Sequence, residues 1–82
     1  MEIKDLVGRN VRQLRLANEL TQEELAAKSG VSQQYISGLE SGTRNPTIEM
    51  LAKLAHAMKV SHVDLVAIPE GTKIRVPKRK TK

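Results

Sequence analysis

Cysteine, tryptophan and phenylalanine are absent from the 82 residues, and tyrosine occurs once. The lack of cysteine excludes disulfides, thiolate metal sites and cysteine nucleophiles. With a single aromatic ring, any core must be built from Leu, Ile, Val, Ala and Met, which suit helices packed on helices better than twisted sheets. An all-α fold is therefore expected. The same scarcity disfavours binding of RNA or single-stranded DNA, because those modules stack bases on aromatic side chains. No apolar run approaches the roughly 20 residues that span a bilayer. The opening Met-Glu-Ile-Lys-Asp also lacks the apolar stretch of a signal peptide. A cytoplasmic protein without membrane association is the expected class, with one core and one domain.

The net charge is +5, but its position matters more than its sum. Residues 1 to 68 hold eight Lys/Arg and eight Asp/Glu, whereas residues 69 to 82 hold six basic residues against Glu70 alone. The chain therefore divides into a neutral domain, 1–68, and a basic C-terminal tail, 69–82. Ile74 and Val76 alternate as a short strand would, and Pro77-Lys-Arg-Lys-Thr-Lys after them reads as disorder. Such a tail is expected to neutralise phosphates without reading bases, which a salt titration with and without Lys78 to Lys82 would reveal.

Along the domain, Ile3, Leu6, Val7, Val11, Leu14 and Ala17 recur at helical spacing and predict a first helix over about residues 3 to 18. Thr21 and Glu24 form a capping box, with Leu20 and Leu25 in staple positions, so a second helix starts at Gln22. Gly30, which adopts a left-handed C-terminal cap at little cost, stops it by Ser29. Ser32 caps a third helix almost at once, stapled by Val31 and Ile36 and ending near Gly42. Pro46 keeps the segment from Thr43 a loop, and Thr47 caps a fourth helix whose inward face reads Ile48, Leu51, Leu54, Ala55 and Met58. Ser61 with Asp64 caps a short fifth helix through Val66.

The stretch from Gln22 to Leu39 is the most specific part of the sequence. Two helices that cross steeply over a very short turn need a small residue where they touch, a glycine in the turn, and apolar residues that lock the second helix down. Ala26, Gly30, Ile36 and Leu39 stand where those needs fall. With Arg15, Thr21-Gln-Glu-Glu-Leu-Ala, Gly30-Val-Ser, Tyr35-Ile-Ser-Gly-Leu-Glu-Ser-Gly, Pro46-Thr and the run from Leu51 to Ser61 with Leu65, the chain resembles the Cro/C1-type (XRE) helix-turn-helix regulators over residues 3 to 66. The resemblance implies an all-α, five-helix lambda-repressor-like DNA-binding domain. It implies a transcriptional regulator, expected to be a repressor, whose third helix (33–41) enters the major groove of double-stranded DNA.

Laid out at roughly 100° per residue, the third helix turns Ile36 and Leu39 inward and Gln34, Ser37, Gly38 and Ser41 outward, with Gln33 on the flank near its N-terminus. A glutamine amide carries a donor and an acceptor that match adenine N6 and N7. Gln33 and Gln34 are the expected principal base readers, with Tyr35, Ser37 and Gly38 beside them. By resemblance, Gln22, Ser32, Thr43, Arg44 and Asn45 fall at backbone-contacting positions, and Arg15 with Glu40 forms a structural salt bridge. Gly38 fits close approach of DNA, tight packing, or no function equally well. Tyr35 fits a half-packed ring with its hydroxyl at the surface, or a DNA contact.

Val63, Val66 and Ile68 offer more apolar surface than a five-residue helix needs, so a homodimer on a roughly palindromic operator is expected. An antitoxin or other interaction protein is the alternative, with a toxin as main partner. RNA polymerase is a further candidate, through Glu23 and Glu24, although those residues also suit a cap and a solvated face. No enzyme is expected, for want of a triad, a glycine-rich phosphate loop or metal-ligand spacing, and no cofactor. His56 and His62 fall on different helices without partners for a metal.

Overall fold

The computed structural model describes residues 1 to 72, so the basic run and the expected strand at Ile74 and Val76 lie outside the described residues. Five helices follow one another: α1 (Ile3–Ala17), α2 (Gln22–Ser29), α3 (Gln33–Glu40), α4 (Ile48–Met58) and α5 (His62–Val66). Among the described residues, none of them is long and apolar enough to cross a membrane.

Local chemistry sets the boundaries. Thr21 Oγ1 accepts from the Glu24 backbone N–H at 3.0 Å while the Glu24 carboxylate accepts from the Thr21 N–H at 2.8 Å. Ser32 and Thr47 cap α3 and α4 through the Tyr35 and Met50 N–H groups, both at 3.1 Å. The Ser61 N–H donates to the Asp64 carboxylate at 3.1 Å, and Ser61 Oγ accepts from Val63 N–H at 3.2 Å. Each cap contributes about 1 kcal/mol, which matters for helices as short as eight and five residues. Gly30 ends α2 at φ 75°.

Helix α1 packs on α3, α4 and α5, α2 packs on α3 and α4, and α4 packs on α5. Val7 and Val11 of α1, Leu25 of α2, Ile36 and Leu39 of α3, Leu54 and Met58 of α4 and Leu65 of α5 meet in one core. Each contributes about 1.5 to 3 kcal/mol by leaving water. Three residues assigned to inward faces are outside. Ile48 is 85% exposed, Ile3 is 43% exposed, and Ala17 is also exposed. All three sit at helix ends, where the apolar stripe continues past the neighbouring element that would cover it.

Gly8 is the tightest point between α1 and α3, because a Cβ there would collide with the backbone carbonyl of Leu39. Asn10, buried on the inner side of α1, donates through Nδ2 to the carbonyls of Leu65 at 3.0 Å and Ala67 at 2.9 Å. That side chain satisfies the C-terminal end of α5, from which only Leu65 is buried.

Candidate nucleic-acid interface

Ile36 and Leu39 are fully buried, which fixes the rotation of α3 and turns Gln33, Gln34, Ser37 and Ser41 to solvent. Gln33 and Gln34 are exposed and make no hydrogen bond to any other described residue. Both amides are thus free to pair with an external donor and acceptor. The short turn that presents them is held by the Val31 N–H donating to Ser29 Oγ at 3.1 Å and by the burial of Val31.

One flank of α3 is closed by the loop that follows it. The backbone N–H groups of Thr43 and Arg44 both donate to the Gly38 carbonyl, at 2.9 and 3.2 Å. The hydroxyls of Ser41 and Thr43 reach the same oxygen at 3.1 and 3.2 Å. A Cβ at Gly38 would meet the Arg44 side chain, so of the three readings of this residue, tight packing has a direct structural counterpart. Tyr35 is half-buried, and its Oη donates to the Asn45 carbonyl at 2.9 Å. The Arg44 guanidinium lies 5.7 Å from the centre of its ring, a cation–π contact of about 0.5 to 1 kcal/mol at an exposed site. Tyr35 thereby ties the start of α3 to the loop and steadies Arg44 at the surface.

The opposite flank is organised by charge. Arg15 Nε and Nη2 meet the two Glu40 carboxylate oxygens at 2.7 and 3.0 Å, a two-pronged ion pair between α1 and α3. Arg15 Nη1 donates to the Leu20 carbonyl at 2.8 Å, and Gln22 Nε2 donates to Glu40 Oε1 at 3.1 Å. The hydrogen bond to Glu40 raises the Arg15 pKa above its ordinary value, against a smaller opposing effect of burial. Its contribution to stability is present below the pKa of unfolded arginine, about 12.5 or higher, and so across the usable pH range. Gln22 keeps its second amide hydrogen for an outside partner. Ser32 is exposed at the start of α3, its hydroxyl accepting from Tyr35.

Gln33, Gln34 and Ser37 therefore share one exposed face, with Gln22 on one flank and Thr43, Arg44 and Asn45 on the other. Val63, Val66 and Ile68 lie on another surface, 59%, 43% and 57% exposed. They neighbour an apolar groove of about 260 Å³ lined by Ile48, Leu51, His62 and Val66. Sequence reasoning did not single out Gly8 or Asn10. Each carried a signal: a glycine inside an otherwise strong helix, and a polar side chain on an apolar stripe.

A family model described as Helix-turn-helix matches residues 11–65. The chain is similar to an uncharacterized HTH-type transcriptional regulator of Sinorhizobium fredii, y4dJ, at 53% identity over 72 residues, covering 88% of this chain and 94% of the relative. It is 43% identical over 61 residues to the control protein C.SmaI of Serratia marcescens, covering 74% and 73% of the two chains. Among solved structures, the restriction-modification controller protein C.AhdI of Aeromonas hydrophila superposes with a TM-score of 0.73 at 37% identity, covering 76% of this chain and 94% of that one.

Proposed function

The chain belongs to the XRE-type helix-turn-helix family, and on that premise we propose that it is a regulator of transcription that reads duplex DNA with α3. The observation that carries this reading is the pair of free glutamine amides at the N-terminal end of a helix whose rotation the core fixes. That end is the one that reaches base edges in this motif. Gln33 and Gln34 read bases, with Ser37 beside them. Gln22, Ser32, Thr43, Arg44 and Asn45 contact phosphates, and Tyr35 and Gly38 hold the loop that carries Arg44. We take occupancy of the operator as the mode of action, which makes the protein a repressor. Residues 1–68 form the domain, and the basic tail, 69–82, adds affinity that does not depend on sequence.

One copy offers too few base contacts for a long site, so two copies act together on half-sites about 34 Å apart. The exposed apolar residues Ile48, Val63, Val66 and Ile68 support pairing through α4 and α5.

Selection of bound fragments from random duplex DNA is the test, followed by titrations of Gln33→Ala and Gln34→Ala on the recovered site and on scrambled duplex. Each substitution is expected to weaken specific binding by about 1 to 3 kcal/mol and leave non-specific binding nearly unchanged. Equal losses on both duplexes would remove the base-reading role. Recovery of no duplex, together with a stoichiometric protein partner from the native host, would replace this reading with that of an antitoxin or interaction protein.

A further inference from the structure

A polar groove of about 310 Å³ runs between α1 and α3, lined by Arg12, Arg15, Gln22, Ser37, Glu40 and Ser41. Its charges are not equivalent. Arg15 and Glu40 are paired, their side chains only 10% and 6% exposed, and the remaining reach of Arg15 goes to the Leu20 carbonyl. Both Glu40 oxygens are occupied by Arg15, and one of them also by Gln22. Arg12 is different. It lies one turn before Arg15 on α1, is exposed, and makes no ion pair or hydrogen bond with any other described residue. The groove therefore has a screened, neutral floor and one uncompensated cation at its edge. Ser37 Oγ also has no partner within the described residues, and the second hydrogen of the Gln22 amide is unused. These groups suit an anion that accepts several hydrogen bonds, and the volume is several times the ~30 Å³ share of one water.

The position of the groove says which anion. At roughly 100° per residue, Ser37 and Glu40 fall on one flank of α3 while Tyr35 and Gly38, which hold the Arg44 loop, fall on the other. A helix lying in a major groove about 12 Å wide has a phosphate backbone on each side. Arg44 serves one side. We propose that the groove between α1 and α3 seats a backbone phosphate of the other strand, with Arg12 supplying the charge and Ser37 and Gln22 the neutral donors. This rests on the reading of α3 as the duplex-facing helix.

The test uses the full chain and a random-sequence 20-bp duplex, so no operator is needed. Each phosphate neutralised adds about 0.9 to the steepness with which log affinity falls against log salt. Arg12→Ala and Arg12→Gln should each lower that slope by about 1 and weaken binding severalfold, whereas Arg12→Lys should keep the wild-type slope. Lys53→Ala, which removes a cation of α4 outside the groove, should leave the slope unchanged, and the thermal midpoints of the Arg12 variants should match wild type. Slopes for Arg12→Ala and Arg12→Gln equal to that of Lys53→Ala would overturn the proposal while leaving α3 as a reader. Absence of wild-type binding to any duplex would instead reject the reading on which it rests. Saturable shifts of the Ser37 and Ser41 amides by inorganic phosphate, with duplex binding insensitive to Arg12→Ala, would assign the groove to a free phosphate-bearing ligand and overturn it as well.

Discussion

Two glycines are required for opposite reasons, and substitution separates them. Gly30 has nothing within 4 Å of a would-be Cβ, but its φ of +75° is one that L side chains rarely adopt. Gly8 lies inside α1, where a side chain would collide with the Leu39 backbone and could be accommodated only by moving α1 from α3. Gly30→Ala should therefore cost about 1 kcal/mol, with Gly30→Asn recovering most of it because asparagine tolerates the left-handed region. Gly8→Ala should cost about 1 to 3 kcal/mol through overpacking, and Gly8→Asn more. Urea midpoints of the four variants are the measurement. A Gly8→Asn protein more stable than Gly8→Ala would show that the two helices are not in contact there. The same crossing places Glu40 opposite Arg15, so strain at Gly8 should also reach the ion pair beside the proposed reading face.

At the level of whole helices, the sequence was most legible where the determinants are local. Four capping residues, Thr21, Ser32, Thr47 and Ser61, act on N–H groups two or three residues away, and they placed the starts of α2 to α5 correctly. The exposed face of α3 was legible for a related reason, since a buried Ile36 and Leu39 determine where every other side chain of a rigid helix points. Contacts between distant residues were not legible. A stripe says which face of α4 turns inward but not how far the neighbouring helix extends, hence the outward Ile48. The bond from Asn10 to Leu65 joins residues 55 positions apart. It is also the best handle on α5, a five-residue helix with one buried side chain. Asn10→Ala should strip both carbonyls of their donor and cost about 1 to 3 kcal/mol. Asn10→Asp, which sets a carboxylate against two carbonyl oxygens, should cost more. In hydrogen exchange of Asn10→Ala, the amides of α5 should open before those of α2 and α3. Uniform acceleration across all five helices would mean that Asn10 supports the core generally and not α5 in particular.

For the molecule as a whole, the balance of eight basic and eight acidic residues through residue 68 means that the domain has no general attraction for DNA. Affinity must come from particular contacts, and pairing two copies doubles them. The surface available for pairing is the one around the groove of Ile48, Leu51, His62 and Val66, where Ile48, Val63 and Val66 are 85%, 59% and 43% exposed. A two-fold arrangement would place this patch against itself, so one substitution acts on both sides of the contact. Val66→Glu changes an exposed side chain and should alter the stability of the isolated chain by no more than about 0.5 kcal/mol, yet it sets two carboxylates into an apolar contact. Wild type should sediment as a dimer at micromolar concentration and Val66→Glu as a monomer. Because association stabilises the folded state by mass action, the wild-type thermal midpoint should rise with protein concentration while that of the variant stays constant. Binding to the selected operator should weaken strongly and lose its dependence on a paired half-site, whereas each Val66→Glu chain should hold random duplex as wild-type chains do. A wild-type protein that is monomeric both free and on DNA, or a variant that still dimerises, would move the contact elsewhere or remove it.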